Sequence, residues 1–204
     1  MLEIGAGRGR LTEELARVAG RVLAIEVDPA LARSLDGRWG NVEIVVADAT
    51  SVELPDDPFR VVSNLPFHRT TDLLHLLLDD PEGSLVRADL VVEWEVAVKR
   101  ALPWPSSVNG VVWSAFWEPS LARRLPWSAF SPSPAVAAGV LVLRRRGVPL
   151  VEPRAAVAYR RFVVAGFRKG LRHVAGGRRG RGLRGRPARD LDAHEWAALF
   201  ADSS

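Results

Sequence analysis

Three glycines in five residues, Gly5-Ala6-Gly7-Arg8-Gly9, stand between apolar Leu2 and Ile4 and a run whose apolar stripe is Leu11, Leu15 and Val18. Glycine is unfavourable inside either a strand or a helix and suited to a tight turn, so the segment reads as strand end, turn and helix. The pattern then repeats. "RVLAIEVDP" reads as a second strand stopped by Pro29, "ALARSLDGRWG" as a short helix, "NVEIVVADAT" as a third strand and "FRVVSN" as a fourth. "RTTDLLHLLLDD" has helical periodicity, "ADLVVEWEVAVKRAL" is a strand running into a helix, and "GVVWSAFWE" and "AAGVLVLRRR" read as β-rich. Strands alternating with helices at this spacing predict an α/β fold: a mostly parallel sheet covered on both faces.

The alternation ends after "VLVLRRRGVP", and 204 residues suffice for one full domain and a smaller one. The boundary is placed near 147, giving a sheet domain over 1–146 and a small helical, Arg-rich domain over 147–204. In the latter, Val157, Phe162, Val163, Phe167 and Leu171 recur at helical spacing, "AGGRRGRGLRGRPARD" is Gly/Arg-rich, and "DLDAHEWAALF" reads as a terminal helix with Asp192 near its start. The absence of Cys excludes disulfides and thiolate metal sites. His68, His75, His173 and His194 lack the usual helical metal spacings, so no metal is expected. No apolar run approaches the ~18 residues of a membrane span, and no signal-peptide pattern opens the chain. A cytoplasmic monomer is expected.

A net charge of +4 conceals segregation: residues 144–189 hold 15 Arg or Lys against one acidic residue, Glu152. Such a block reads either as a solvated tail or as a phosphate-binding surface that releases counterions on binding. Its richness in Arg suits bidentate contact with phosphate. Arg144, Arg145, Arg146, Arg168, Lys169, Arg172, Arg178, Arg179 and Arg181 are the candidate RNA contacts.

At the strand-to-helix turn, Gly5, Ala6, Gly7 and Gly9 let a ligand approach the backbone, with helical N–H groups nearby. The dinucleotide pattern GxGxxG fails at Arg10, which favours an adenosyl ligand over a pyrophosphate. Glu26, closing the second strand, is placed to accept both hydroxyls of a ribose. Asp48, with Ala49, ends the third strand, where its carboxylate suits an adenine amino group. Glu3 is placed to orient the charged tail of such a cofactor.

Asn64-Leu65-Pro66-Phe67 closes the fourth strand on the same sheet edge. An exocyclic adenine amine is a poor nucleophile because its lone pair is delocalised into the ring. Two acceptors in fixed geometry, the Asn64 side-chain oxygen and a main-chain carbonyl beside rigid Pro66, hold its two N–H bonds and favour a pyramidal nitrogen. A neutral amide serves there because acceptors, not proton transfer, are required. Phe67 is placed to stack on an extruded base.

In this order and spacing, "LEIGAGRGRLT", "AIEVD", "VVADA", "SNLPFHRTTDLL" and "FSPSPAVAAGVLVLRRR" resemble the motifs of the rRNA adenine N6-methyltransferases, most closely the Erm-type macrolide-resistance enzymes. The resemblance implies a Rossmann-like methyltransferase domain and a small helical domain. It further implies methyl transfer from S-adenosylmethionine to N6 of an adenine in 23S rRNA, with resistance to macrolide, lincosamide and streptogramin B drugs. By position, Gly5, Gly7, Glu26, Asp48 and Asn64 would serve the cofactor and Asn64 to Phe67 the target base, without a metal and without DNA or membrane as partner. Relatives of this type carry an N-terminal extension, whereas this chain begins within the first strand, so a start further upstream is expected. Two alternatives stay open: a small-subunit rRNA adenine dimethyltransferase, and a truncated RNA-binding relative without catalysis.

Overall fold

The computed structural model describes residues 1–102, 105–130, 136–174 and 186–203. Seven strands form one sheet: β1 (Leu2–Ile4), β2 (Val22–Glu26), β3 (Val42–Val46), β4 (Phe59–Asn64), β5 (Leu85–Glu93), β6 (Trp117–Leu125) and β7 (Ala138–Arg145), in the order β3-β2-β1-β4-β5-β7-β6. β1 pairs in parallel with β2 and β4, β2 with β3, and β4 with β5, whereas β7 runs antiparallel to β5. Strands flanked on both sides and covered on both faces read as continuous apolar runs. Accordingly, in β1 and β2 every residue except partly exposed Leu23 is buried, while edge strand β3 is half-exposed.

Among the described residues the helices are α1 (Arg10–Val18), α2 (Pro29–Leu35), α3 (Thr70–Leu78), α4 (Trp94–Ala101), α5 (Val108–Ser114), α6 (Ala156–Lys169) and α7 (Ala193–Ala201). α2 starts where Asp28 caps the Ala30 and Leu31 N–H groups with Pro29 at the first position. α3 buries Leu73, Leu74, Leu77 and Leu78, the three-and-four spacing of one helix face. Val18, assigned to the apolar stripe of α1, is instead 75% exposed. Leu15 and Thr12 are the residues α1 buries, and Leu15 joins Ala6, Val22, Ala24 and Leu35 in a core directly beneath the glycine turn.

"GVVWSAF" is helical rather than β-rich. Ser107 caps α5 by accepting the Gly110 N–H at 3.2 Å, and Val111, Val112 and Trp113 are buried by packing against other elements. Such tertiary burial overrides the weak strand preference of valine.

Two compact units divide the chain: Met1–Ala97 with Leu121–Arg144, and Val98–Ser120 with Arg145–Ser204. The second unit takes up the chain at Arg145, close to the boundary read from composition, but also includes Val98–Ser120. Within it, α5 packs on α6, and Arg160 Nη1 donates to Asn109 Oδ1 at 3.0 Å. Its core is aromatic: Trp196 and Tyr159 are fully buried. Trp196 stacks on Phe167 with 5.5 Å between centroids, and Phe200 meets Tyr159 and Phe162 edge-on at 5.2 and 5.5 Å. Asp192 and Glu195 cap α7 reciprocally.

Gly166 of α6 faces this cluster, and a Cβ there would lie 2.5 Å from the Trp196 ring, itself pinned by Phe167. Gly166→Ala should therefore destabilise the protein by about 1–3 kcal/mol in urea unfolding, although alanine alone favours a helix by ~1 kcal/mol. Unchanged or increased stability would show that the Trp196 ring can yield.

Candidate active site

β1, β2, β3 and β4 run parallel, so their C-terminal ends place the glycine turn, Glu26, Asp48 and Asn64 along one sheet edge. In doubly wound sheets this edge is where ligands bind. The turn starts where Gly5 and Ala6 both donate to the Ile25 carbonyl, at 2.8 and 3.1 Å. Gly5, Gly7 and Gly9 all have positive φ, between 59° and 79°, a region that side chains rarely adopt. Their surroundings differ. A Cβ on Gly9 would strike Leu35 at 2.6 Å and Trp39 at 3.0 Å, so Gly9 is required for close packing of α1 on the α2 region. A Cβ on Gly7 would meet nothing within 4 Å, which leaves its face open to a ligand.

Glu26 is buried, and both of its oxygens accept main-chain N–H groups: Oε2 from Gly7 at 2.7 Å and Oε1 from Asp28 at 2.9 Å. The residue assigned to a ribose is thus also the clamp that sets the turn. Asp48 Oδ1 accepts the Thr50 N–H at 2.9 Å and its hydroxyl at 2.7 Å, while Oδ2 meets Arg69 Nη1 at 3.3 Å. The Thr50 hydroxyl and amide, and then Arg69, hold the Asp48 carboxyl below its usual range. Arg69 also reaches Asp72 at 3.2 Å, which ties the segment after Phe67 to the end of β3.

Two cavities share Gly5 as a wall. The smaller, about 140 Å³, is mainly apolar, lined by residues including Ile4, Val27, Ala49 and Pro66, with Asp48 and Arg69 as its charged groups. The larger, about 670 Å³, brings Glu3, Ala6, Gly7, Asn64, Leu65 and Phe67 together with Leu125 and Phe130 from the β6–β7 connection. Asn64 is exposed at the end of β4, and among the described residues its carboxamide makes no hydrogen bond. Leu65 is buried and donates its N–H to the Val91 carbonyl at 3.1 Å, which ties the tetrapeptide to β5. The Pro66 carbonyl accepts the Arg69 N–H at 2.9 Å and closes a 3-10 turn over Phe67–Arg69. Every cofactor and target-base candidate except Gly9 and Glu26 lines one of these cavities. Sequence reasoning missed Arg69, Thr50, Val27 and Phe130. The adjacency of "HRTTD" to the tetrapeptide was the available signal for Arg69.

The basic candidates fare differently. Arg144, Arg168, Lys169 and Arg172 are exposed, and Arg168 and Lys169 line a surface groove of α6 with Arg160 and Arg161. Arg145 lies 4.6 Å over the Trp117 ring. Arg146 is engaged by the Ser114 carbonyl at 2.9 Å and Glu118 at 3.1 Å, so part of its donor set is internal. Arg178, Arg179 and Arg181 lie outside the described residues. Among the described residues no group of three side chains suited to a metal ion gathers, and no helix is long and apolar enough to cross a membrane.

Glu3 is 1% exposed, and its Oε2 has no hydrogen-bond partner. Burial pushes its carboxyl up to about 7; Glu26 adds to the rise, and Thr12, whose hydroxyl makes no well-formed bond, opposes it. The native state therefore holds a proton that the unfolded chain releases near the usual 4.5, and stability falls as pH rises from there to about 7. Glu3→Gln, neutral at every pH, should exceed the wild type in stability by about 1–3 kcal/mol above pH 7 and match it below pH 4.5. Urea unfolding at the two extremes checks this; an advantage independent of pH would mean that Glu3 does not titrate there.

The sequence profile of the family described as ribosomal RNA adenine dimethylase matches residues 1–175. An rRNA adenine N-6-methyltransferase of Corynebacterium diphtheriae is 36% identical over 90% of this chain and 69% of its own length. The mycinamicin-resistance protein MyrB of Micromonospora griseorubida is 35% identical over 98% of this chain and 68% of its own. The crystal structure of the 23S rRNA methyltransferase ErmE superposes with a TM-score of 0.83 at 29% identity, covering 99% of this chain and 89% of that one.

Proposed function

Because the chain belongs to the ribosomal RNA adenine dimethylase family, we propose that it is an Erm-type enzyme. In this reading it transfers methyl from S-adenosylmethionine to N6 of an adenine in 23S rRNA and confers resistance to macrolide, lincosamide and streptogramin B drugs. One observation carries the reading: Asn64, Leu65 and Phe67 line the same cavity as the open face of the glycine turn, so target base and cofactor would meet without either passing through the sheet.

The residues present fit the cofactor. The narrow apolar slot beside Asp48 suits an adenine ring edge-on to a carboxylate. Glu26 keeps lone pairs for a ribose beyond the two N–H bonds it accepts. The unpartnered Glu3 oxygen, in the wall of the larger cavity, suits a cationic amino group. When bound, S-adenosylmethionine supplies a sulfonium-activated methyl group. Asn64, exposed and without a competing hydrogen bond, would accept one N–H of the target amine, and the Leu65 carbonyl the other. Such acceptors stabilise the positive charge that develops on nitrogen as its lone pair leaves conjugation. Phe67, half-buried in the same wall, would hold the base by its face.

The names of the relatives favour the large-subunit substrate, and the test separates it from the small subunit. Purified protein with labelled S-adenosylmethionine should label protein-free 23S rRNA and leave 16S rRNA unlabelled; the reverse pattern would replace the reading with a small-subunit dimethyltransferase. Asn64→Ala should lower turnover about 100-fold or more, since one positioned acceptor is worth ~3–4 kcal/mol in comparable sites, with cofactor affinity largely kept. Undiminished turnover would remove Asn64 from the chemistry. Phe67→Ala should impair transfer more than Phe67→Tyr, because both aromatics stack.

A further inference from the structure

The β6–β7 connection opens at the sheet edge that holds the cavity, since Ala138 pairs with Glu93 at the C-terminal end of β5. Its first part, the 3-10 turn Trp127–Ala129, is closed by the Phe130 N–H donating to the Trp127 carbonyl at 3.2 Å. Ala129 and Phe130 line the large cavity, but Trp127 does not; it is 50% exposed. No other aromatic side chain among the described residues is comparably exposed, whereas Trp113, Trp117 and Trp196 are buried. An indole left half in water on a turn that borders a site asks for an occupant.

The chemistry around it names one. Arg123 and Arg124, on the exposed part of β6 just before this turn, are themselves exposed. The Arg124 guanidinium lies 5.3 Å over the Trp94 ring, and Trp94 packs so closely on β7 that a Cβ at Gly139 would lie 2.8 Å from it. Arg124 is thus held against a fixed aromatic surface. Leu125, the next residue, is already in the cavity wall. Two cations beside a flat aromatic face, at the mouth of a cavity sized for an extruded base, match a single-stranded polyanion with unstacked bases.

We propose that Trp127, with Arg123 and Arg124, forms a docking strip for single-stranded RNA, on which the base of a nucleotide flanking the target adenine stacks. The inference rests on the rRNA reading for the identity of the target, but its test does not depend on methyl transfer. Trp127 takes the base face, the two arginines take the flanking phosphates, and Phe130 marks the passage from the strip into the cavity. Duplex RNA offers no free base face, so the strip selects an unpaired context around the target.

The experiment measures equilibrium affinity, by fluorescence anisotropy, for a labelled RNA hairpin with an unpaired adenine-containing loop and for a blunt duplex of the same length. Trp127→Ala should weaken hairpin binding roughly tenfold and leave duplex binding unchanged, while Trp127→Phe should recover most of the loss. Arg123→Gln combined with Arg124→Gln should weaken both RNAs and flatten the salt dependence, which Trp127→Ala should not. Trp127 is exposed, so an unchanged melting temperature in Trp127→Ala reports an intact fold. Unchanged hairpin affinity in Trp127→Ala, equal losses on both RNAs, or no recovery with Trp127→Phe would overturn the strip. A wild type that binds the hairpin through Trp127 yet methylates no rRNA would refute the proposed function and leave the strip standing.

Discussion

The Glu26 carboxylate holds the site in shape. It is buried at the end of β2, and by accepting the Gly7 and Asp28 N–H groups it joins the turn after β1 to the turn after β2. A turn with three glycines at positive φ would otherwise carry a large entropic cost of ordering. Charge-assisted bonds from a carboxylate to backbone N–H groups are among the stronger ones available. On the far side the turn is held by packing, because Gly9 sits against Leu35 and Trp39 with no room for a Cβ. Clamped at both ends, the turn leaves only the Gly7 face unobstructed, and that face belongs to the large cavity.

The same edge sorts its carboxylates by environment. Asp48 is balanced by Thr50 and Arg69, so it presents fixed acceptor geometry with its charge largely compensated. Glu3 has no such partner. It lies beside Glu26, and burial makes its ionised form costly until something positive arrives. The slot beside Asp48 therefore suits a neutral, hydrogen-bonding ring, and the region around Glu3 suits a cation. S-adenosylmethionine has both parts in one molecule, which is the physical sense in which the two cavities around Gly5 form a single site.

What was legible in the sequence was whatever local chemistry decides. The glycine turn, the span of β4 and the capped helix after Asp192 could be read because each depends on residues within a few positions of one another. The helix α5 could not be read, since Val111, Val112 and Trp113 suit a strand and become helical through the Ser107 cap and packing on α6. Val18 continues the apolar spacing of α1 yet faces water, because nothing from the sheet covers the end of that helix. The edge location of Asp48 was legible, but its ion pair with Arg69 was not: the two meet only because β3 and β4 end on the same side of the sheet. Hydrogen bonding within the site is long-range, and pattern alone does not supply it.

The second unit reconciles a dense positive surface with a stable fold by giving the two duties to opposite faces of one helix. α6 buries Tyr159, Val163 and Gly166 against α7 and its aromatics, while Arg161, Arg168 and Lys169 stay exposed. Mutual repulsion among those cations opposes compaction, and the apolar cluster offsets it. Gly166 then has a role beyond helix propensity, because the missing side chain lets the Trp196 ring lie against the backbone of α6. Close packing there compensates for the small size of the unit. A polyanion laid along the Arg161–Lys169 face would relieve the repulsion without disturbing the cluster, so binding would stabilise the unit through its charge alone.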